Sequence, residues 1–241
     1  MSKIFAVTSG KGGVGKSTVS AGLSLSLSSL GYKVLLVDMD EGLRCLDLML
    51  GIDNQVVLDL SDILQGREIN DAVYKVRENL FLVPAPQKLG MIDAFALANF
   101  AGEAKDLYDI VIFDFPAGID FSLYTSLPKD TLFLTVAFPD AVTVRDAAVV
   151  SGLLAERGCR SRLILNRYDY KISKRKIYKS IDDIIDEAQL QLIGIIPQSN
   201  ELQMLSLGKL PKKNSKSLKA LNRISKRLMG QQILLPKINK L

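Results

Sequence analysis

Seven short apolar runs, at residues 4–7, 34–37, 80–83, 110–113, 132–136, 163–165 and 192–196, punctuate the chain, and most of the intervals between them carry helical spacing, as at residues 19–30, 91–107 and 144–154. The runs are continuous rather than alternating. A strand with one wet face alternates apolar and polar residues, whereas a strand covered on both faces has no wet side to show. The pattern therefore predicts an α/β fold: a mostly parallel central sheet with helices on both faces. Sheets of this kind bind ligands beyond the carboxyl ends of their strands. At 241 residues and 48% apolar content, one domain over residues 1–229 with a short basic and apolar tail over residues 230–241 is the economical reading.

The first run leads directly into Gly10, Lys11, Gly12, Gly13, Val14, Gly15, Lys16, Ser17 and Thr18, and then into a segment of helical spacing. Strand, glycine loop and helix start together make a socket for nucleotide phosphates: the glycines let backbone amides turn inward, and the helix dipole favours an anion there. The spacing is that of a P-loop NTPase, with Gly10 and Gly15 as its glycines, Lys16 reaching the terminal phosphates and Ser17 holding magnesium. An ordinary phosphate loop fixes nothing at Lys11, so on spacing alone this residue reads as a solvated turn lysine.

Carboxylates close two further runs. Asp38 and Asp40 follow the second, and Asp114 ends the fourth. A carboxylate at a strand end beside a phosphate loop can orient an attacking water or join a magnesium shell. Asp40 is the candidate for the water, supported by Asp38, and Asp38 and Asp114 join Ser17 as candidates for the magnesium shell. Capping of the following turn is the competing role for the first pair. Pro116, Ala117 and Gly118, just past Asp114, form a loop able to sense the γ-phosphate.

The segment Gly-Lys-Gly-Gly-Val-Gly-Lys-Ser resembles the deviant phosphate loop of the MinD and ParA ATPases, in which the early lysine is the signature. In that family two subunits sandwich two ATP molecules, so the resemblance implies an ATP-dependent homodimer in which Lys11 reaches the partner's nucleotide, as an arginine finger does. Asp38-Met39-Asp40 and Gly42-Leu43-Arg44-Cys45-Leu46-Asp47-Leu48 are similar to the MinD branch. So is Pro116 to Ile119, although Phe115 stands where the family has a small residue. The resemblance further implies that Asp140 and Asp146 approach the partner's signature lysine or the ribose, that Asn166 and Arg167 read the adenine, and that Pro197 lies beside the base. ATP and Mg2+ are the cofactors so implied, with an activating or effector protein as partner.

Composition narrows the chemistry. The chain has no histidine, which excludes Ser-His nucleophiles and histidine-held metals. Cys45 and Cys159 form no metal-ligand or redox pair, which disfavours the iron-sulfur and metal-insertion relatives of this loop. The first strand and glycine loop begin too early for a secretory signal, and no apolar run approaches the roughly eighteen residues of a spanning helix. A cytoplasmic protein is expected, soluble or peripheral on the inner face of the cell membrane.

Charge is polarised: residues 1–159 hold 13 Lys and Arg against 20 Asp and Glu, and residues 160–241 hold 18 against 6. The basic third, including residues 171–179 and an amphipathic stretch at 212–227, is either a solvated face or a surface for an acidic partner. Leu218, Leu221, Ile224 and Leu228 give that stretch the stripe of a last core helix, with a membrane-surface helix as the other use. Residues 231–241 are a candidate peripheral membrane contact, interrupted by Pro236. Septum placement through membrane cycling is the leading role. DNA partitioning through the basic third is the second, and regulation of flagellar number the third.

Overall fold

The computed structural model describes residues 2–169, 180–209 and 215–236. Its centre is an eight-stranded sheet built from β1 (Lys3–Thr8), β2 (Val34–Asp38), β3 (Tyr74–Arg77), β4 (Leu80–Val83), β5 (Ile110–Asp114), β6 (Leu132–Ala137), β7 (Arg160–Tyr168) and β8 (Leu192–Pro197). The order across the sheet is β3-β4-β2-β5-β1-β6-β7-β8, and every neighbouring pair is parallel except β3 with β4. The α/β expectation holds, and each of the seven apolar runs is a strand.

Alternate residues of the continuous runs enter two different cores. Phe5, Val7, Val34, Leu36, Ile110 and Ile112 face one side, where α1 (Lys16–Ser29), α2 (Leu46–Leu50) and α9 (Lys216–Leu228) pack. Ile4, Ala6, Leu35, Val37, Val111 and Phe113 face the other, under α3 (Leu60–Leu64), α4 (Ala94–Leu107) and α5 (Phe121–Ser126). The latter face continues under α6 (Ala141–Glu156) and α7 (Ile181–Ala188) beside β7 and β8, while α8 (Asn200–Gln203) follows β8. Helix starts are set by side chains that accept the orphan amides of the first turn. Asp93 caps α4 and Asp140 caps α6, which is why these helices begin at Ala94 and Ala141 rather than at residues 91 and 144.

The basic amphipathic stretch is the last core helix over its described part: α9 buries Ala220, Leu221, Ile224 and Leu228, and Leu218 packs partly buried against the same core. Its approach to the sheet depends on Gly194 of β8, where a Cβ would overlap the Ile224 side chain. Gly194→Ala is therefore expected to cost about 1–3 kcal/mol of stability through overpacking. The check is a lower urea midpoint at unchanged m-value. The basic residues 171–179 and the start of the amphipathic stretch, residues 212–214, lie outside the described residues.

β3 is the strand that the apolar pattern does not reveal. It is a half-buried edge strand, antiparallel to β4, that turns back through Glu78 and Asn79, the latter at φ 59°. An edge position is where short, polar strands belong.

Candidate active site

β1 lies between β5 and β6: the chain runs from β1 to one side of the sheet through β2–β5 and then crosses to the other side at β6, so the strand order reverses there, the place where such sheets open a crevice at the carboxyl ends. The register aligns Asp114 with both Val7 and Asp38, so the phosphate loop and two of the predicted carboxylates meet at that end.

The loop of residues 9–15 turns through Gly13 and Gly15, both at φ 82°, a conformation that favours glycine. Gly10 and Gly15 are also held by close approach. A Cβ on Gly10 would lie 2.6 Å from Asp146 Cβ on α6, and one on Gly15 would lie 2.5 Å from Asn166 Nδ2 on β7. Ser9 Oγ donates to the Lys11 carbonyl (2.8 Å), and Asn166 Nδ2 donates to the Val14 carbonyl (2.9 Å). The two lysines of the loop part company: Lys16, first residue of α1, is only 8% exposed, whereas Lys11 is exposed at the mouth.

Beneath the loop sit Asp38 and Asp114, both fully buried. Asp38 accepts from the backbone N–H groups of Asp40 (3.0 Å), Cys45 (3.2 Å) and Leu46 (3.2 Å), thereby also securing the start of α2. Burial, and secondarily the Asp114 charge, pushes the Asp38 carboxyl up to about 7 against those three bonds. Burial likewise raises Asp114, opposed first by the Lys16 ammonium and then by the Ser17 and Ser20 hydroxyls. The same crowding pushes the Cys45 thiol up to about 12, burial first and the Asp38 charge next, so this cysteine is inert.

Asp114 Oδ1 accepts from Ser20 Oγ at 2.7 Å, while Oδ2 is buried without a hydrogen-bond partner. An orphaned carboxylate oxygen next to Ser17 is what a hydrated magnesium ion would satisfy. Among the described residues no group of three His, Cys, Asp or Glu side chains could hold a metal by itself. Nucleotide phosphates would have to complete the shell, as in other phosphate-loop proteins. The fit carries a pH dependence. Because Asp38 is raised, it must lose a proton before the pair can face a cation, so magnesium-nucleotide affinity should fall as the pH drops below about 7, by up to about tenfold per unit. Calorimetric titrations across that range should record the fall and the released proton, and Asp38→Asn should lack the Asp38 contribution.

Asp40 is half-buried in the turn that follows β2. That turn is fastened from outside: the Glu41 carboxylate accepts from the N–H groups of Gly90 (2.8 Å), Met91 (2.7 Å) and Ile92 (2.8 Å), and Gly42 N–H donates to the Pro86 carbonyl (2.9 Å). On the other flank Gly118 N–H donates to the Ser9 carbonyl (3.1 Å), and Ala117 Cβ would stand 3.8 Å from a Cβ on Gly12. The segment Pro116, Ala117, Gly118 thus rests on the phosphate loop.

The residues expected around the base converge as well. Gly15, Thr18, Asn166, Arg167, Pro197 and Ser199 line one pocket beside the loop. Arg167 stands at φ 51° with its guanidinium 5.0 Å from the centroid of the Phe138 ring. Asp146 reaches the base of the loop at Gly10, but Asp140 has both oxygens engaged at the start of α6: Oδ1 accepts from the Val142 and Thr143 amides and Oδ2 from the Thr143 hydroxyl.

Sequence reasoning missed Ser20, Glu41 and Ser199. Ser20 had a usable signal, lying three residues after Ser17 on the same helix face; Glu41 and Ser199 act through contacts with distant segments.

The family described as "CobQ/CobB/MinD/ParA nucleotide binding domain" matches residues 5–211. The septum site-determining protein MinD of Synechocystis is 38% identical over 208 residues, which are 84% of this chain and 78% of that protein. The fold superposes on MinD in the MinC:MinD cell division complex of Aquifex aeolicus with TM-score 0.88 and 34% identity, over 98% of this chain and 99% of the other. It also superposes on MinD complexed with Mg-ADP from Pyrococcus horikoshii with TM-score 0.83 and 30% identity, over 95% and 96% of the two chains. The chain belongs to the MinD/ParA family of nucleotide-binding P-loop ATPases and, within it, is similar to the cell-division protein MinD.

Proposed function

We propose that this protein hydrolyses ATP with magnesium, passes between an ATP-bound dimer and an ADP-bound monomer, and acts with an effector protein in placing the division septum at the membrane. The observation that carries the reading is the division of labour between the lysines of one loop: Lys16 is buried and its charge acts on Asp114, whereas Lys11 is exposed. A buried lysine stabilises phosphate charge within its own subunit. An exposed one at the rim is placed to act across a dimer interface.

In this mechanism backbone amides of residues 10–15 and the Lys16 ammonium bind and orient the triphosphate. Ser17 and the free oxygen of Asp114 would hold magnesium, which when bound neutralises phosphate charge and fixes phosphate geometry. Asp40 orients the attacking water, and Asp38 holds the Asp40 turn through its backbone bonds. Lys11 of the facing subunit completes the cationic environment of the γ-phosphate, so hydrolysis and dimerisation are coupled. Asn166, Arg167 and Pro197 contact the base, and Pro116 and Gly118 belong to the segment that responds to the γ-phosphate. Residues 1–229 act as one ATPase domain.

The septum-determining names of the relatives, and the MinC bound to the Aquifex protein, support a cell-division role with an effector partner. Among the described residues no helix is long and apolar enough to cross a membrane. Peripheral contact is assigned to residues 231–241. Arg227 starts this tail on the sheet, donating from Nε to the Ile233 carbonyl and from Nη1 to the Ile193 carbonyl, both at 2.7 Å. Beyond this clamp Leu234 is 91% exposed and Leu235 43%. One such tail is a weak anchor, but two presented by an ATP dimer gain avidity, which makes membrane binding switchable.

Co-sedimentation with anionic vesicles tests the reading. Pelleting in ATP but not in ADP is expected, with Lys16→Ala remaining in the supernatant. Binding to duplex DNA in ATP, without vesicle binding, would move the protein to the partitioning class.

A further inference from the structure

The Phe115 departure from the family pattern has a structural partner. Phe115 is fully buried and meets the ring of Tyr124, on α5, edge to face with centroids 4.8 Å apart and planes at 88°. Phe133 closes on the same ring from β6 at 5.4 Å. Together these rings fix the direction of the Tyr124 side chain, which is itself 2% exposed, and leave its hydroxyl only one place to go.

That place is the junction between the phosphate loop and the loop after Asp114. Tyr124 OH donates to the Gly118 carbonyl at 2.9 Å. Its single proton is then spent, so the 2.6 Å contact with Thr8 Oγ1 has Thr8 as the donor. Thr8 is the buried last residue of β1, immediately before the phosphate loop. From the other side of the same glycine, Gly118 N–H donates to the Ser9 carbonyl. Both ends of residue 118 are therefore tied to consecutive residues, Thr8 directly below the loop and Ser9 at its start, and Gly118 is held at φ 102°. Hydrogen bonds in a buried chain of this kind reinforce one another and specify a single geometry.

We propose that Tyr124 is a positioning residue for ATP hydrolysis: its hydroxyl, bridging Thr8 and the Gly118 carbonyl, sets the orientation of residues 116–118 against the phosphate loop. This rests on the ATPase reading above. Tyr124 does not touch the phosphates; it acts through Gly118. The phenol is kept in its donating form, because burial raises it above an ordinary tyrosine against the hydrogen bond from Thr8. Movement of the sensing segment toward or away from a γ-phosphate then has to break or remake the Thr8–Tyr124–Gly118 chain.

Tyr124→Phe retains the ring in its aromatic box and removes only the bridge. At saturating magnesium-ATP its turnover is expected to fall about tenfold, with the ATP dissociation constant changed less than about twofold, because the lost interaction serves the transition state and not ground-state binding. Thr8→Val, which breaks the chain at its other end, should show the same split, and the double variant should be no slower than Tyr124→Phe alone, since the two groups act as a unit. Amide hydrogen exchange at Gly118 should quicken in all three. A role confined to packing would lower thermal stability without this kcat-only, non-additive pattern. Wild-type turnover in either folded single variant, or additive losses in the double, overturns the proposal. Failure of the wild-type protein itself to hydrolyse ATP, with the exchange effect intact, would instead remove the ATPase reading and with it the hydrolytic role of Tyr124.

Discussion

Lys16→Ala is expected to abolish productive ATP binding, lowering turnover by at least about 10²–10³-fold, the scale on which loss of a preorganised charge at a phosphate is felt. Lys16 is the one buried cation among the described residues, and its charge is the largest influence holding the Asp114 carboxyl down against burial. Alanine removes both functions at once. The phosphates lose their in-subunit cation, and Asp114 loses the charge that favours its ionised form, so the magnesium site weakens as well. Some stability should be lost as well, because Asp114 is left buried without its cation, a cost the carboxyl relieves by taking up a proton. Equilibrium binding of a fluorescent ATP analogue, with circular dichroism as the control for folding, checks the prediction. Nucleotide affinity near the wild-type value would contradict the assignment of Lys16.

Lys11→Ala should separate binding from turnover. The residue is exposed at the mouth of the loop, so the monomer's own site loses little, and ATP binding should change less than about threefold while turnover falls on the order of 10³-fold, as when a trans-acting arginine finger is withdrawn. Dimerisation in ATP should be lost with it, read by analytical ultracentrifugation. Asp40→Ala should behave oppositely: with the water no longer oriented, the ATP-bound dimer persists instead of turning over. The pair of phenotypes distinguishes a lysine that acts between subunits from one that lies in solvent at a turn.

The legible parts of this molecule were those fixed by local chemistry. Continuous apolar runs disclosed the strands because burial on both faces admits no polar alternation, and the alternate entry of Ile4 and Phe5 into different cores is the structural counterpart of that rule. The phosphate loop was readable because its glycines, lysine and serine answer to one local geometry. The edge strand β3 escaped because its residues are half-buried and carry Lys75 and Arg77, and the short helices α2 and α3 because they have only 5 residues each. What governs the site across distance was not readable: Glu41 is about 50 residues from the amides it holds, Tyr124 is 116 from Thr8, and Asn166 is 152 from Val14. Phe115 was visible as a departure from the family, but its meaning came only with the ring it faces. Asp140, expected by resemblance near the partner subunit, also caps the start of α6, a local role that its position before a helical segment did not disclose.

The coupling of turnover to dimerisation is tested most directly by mixing Lys11→Ala with Asp40→Ala. Each variant alone should be nearly inactive. In a mixed dimer one of the two sites combines the intact Asp40 of one subunit with the intact Lys11 of the other, so adding the two proteins together before ATP should restore turnover, up to about one quarter of the wild-type rate where subunits pair at random and less to the extent that the missing Lys11 weakens pairing. No recovery from a mixture shown to contain heterodimers, or wild-type turnover by Lys11→Ala alone, would contradict a site shared between subunits.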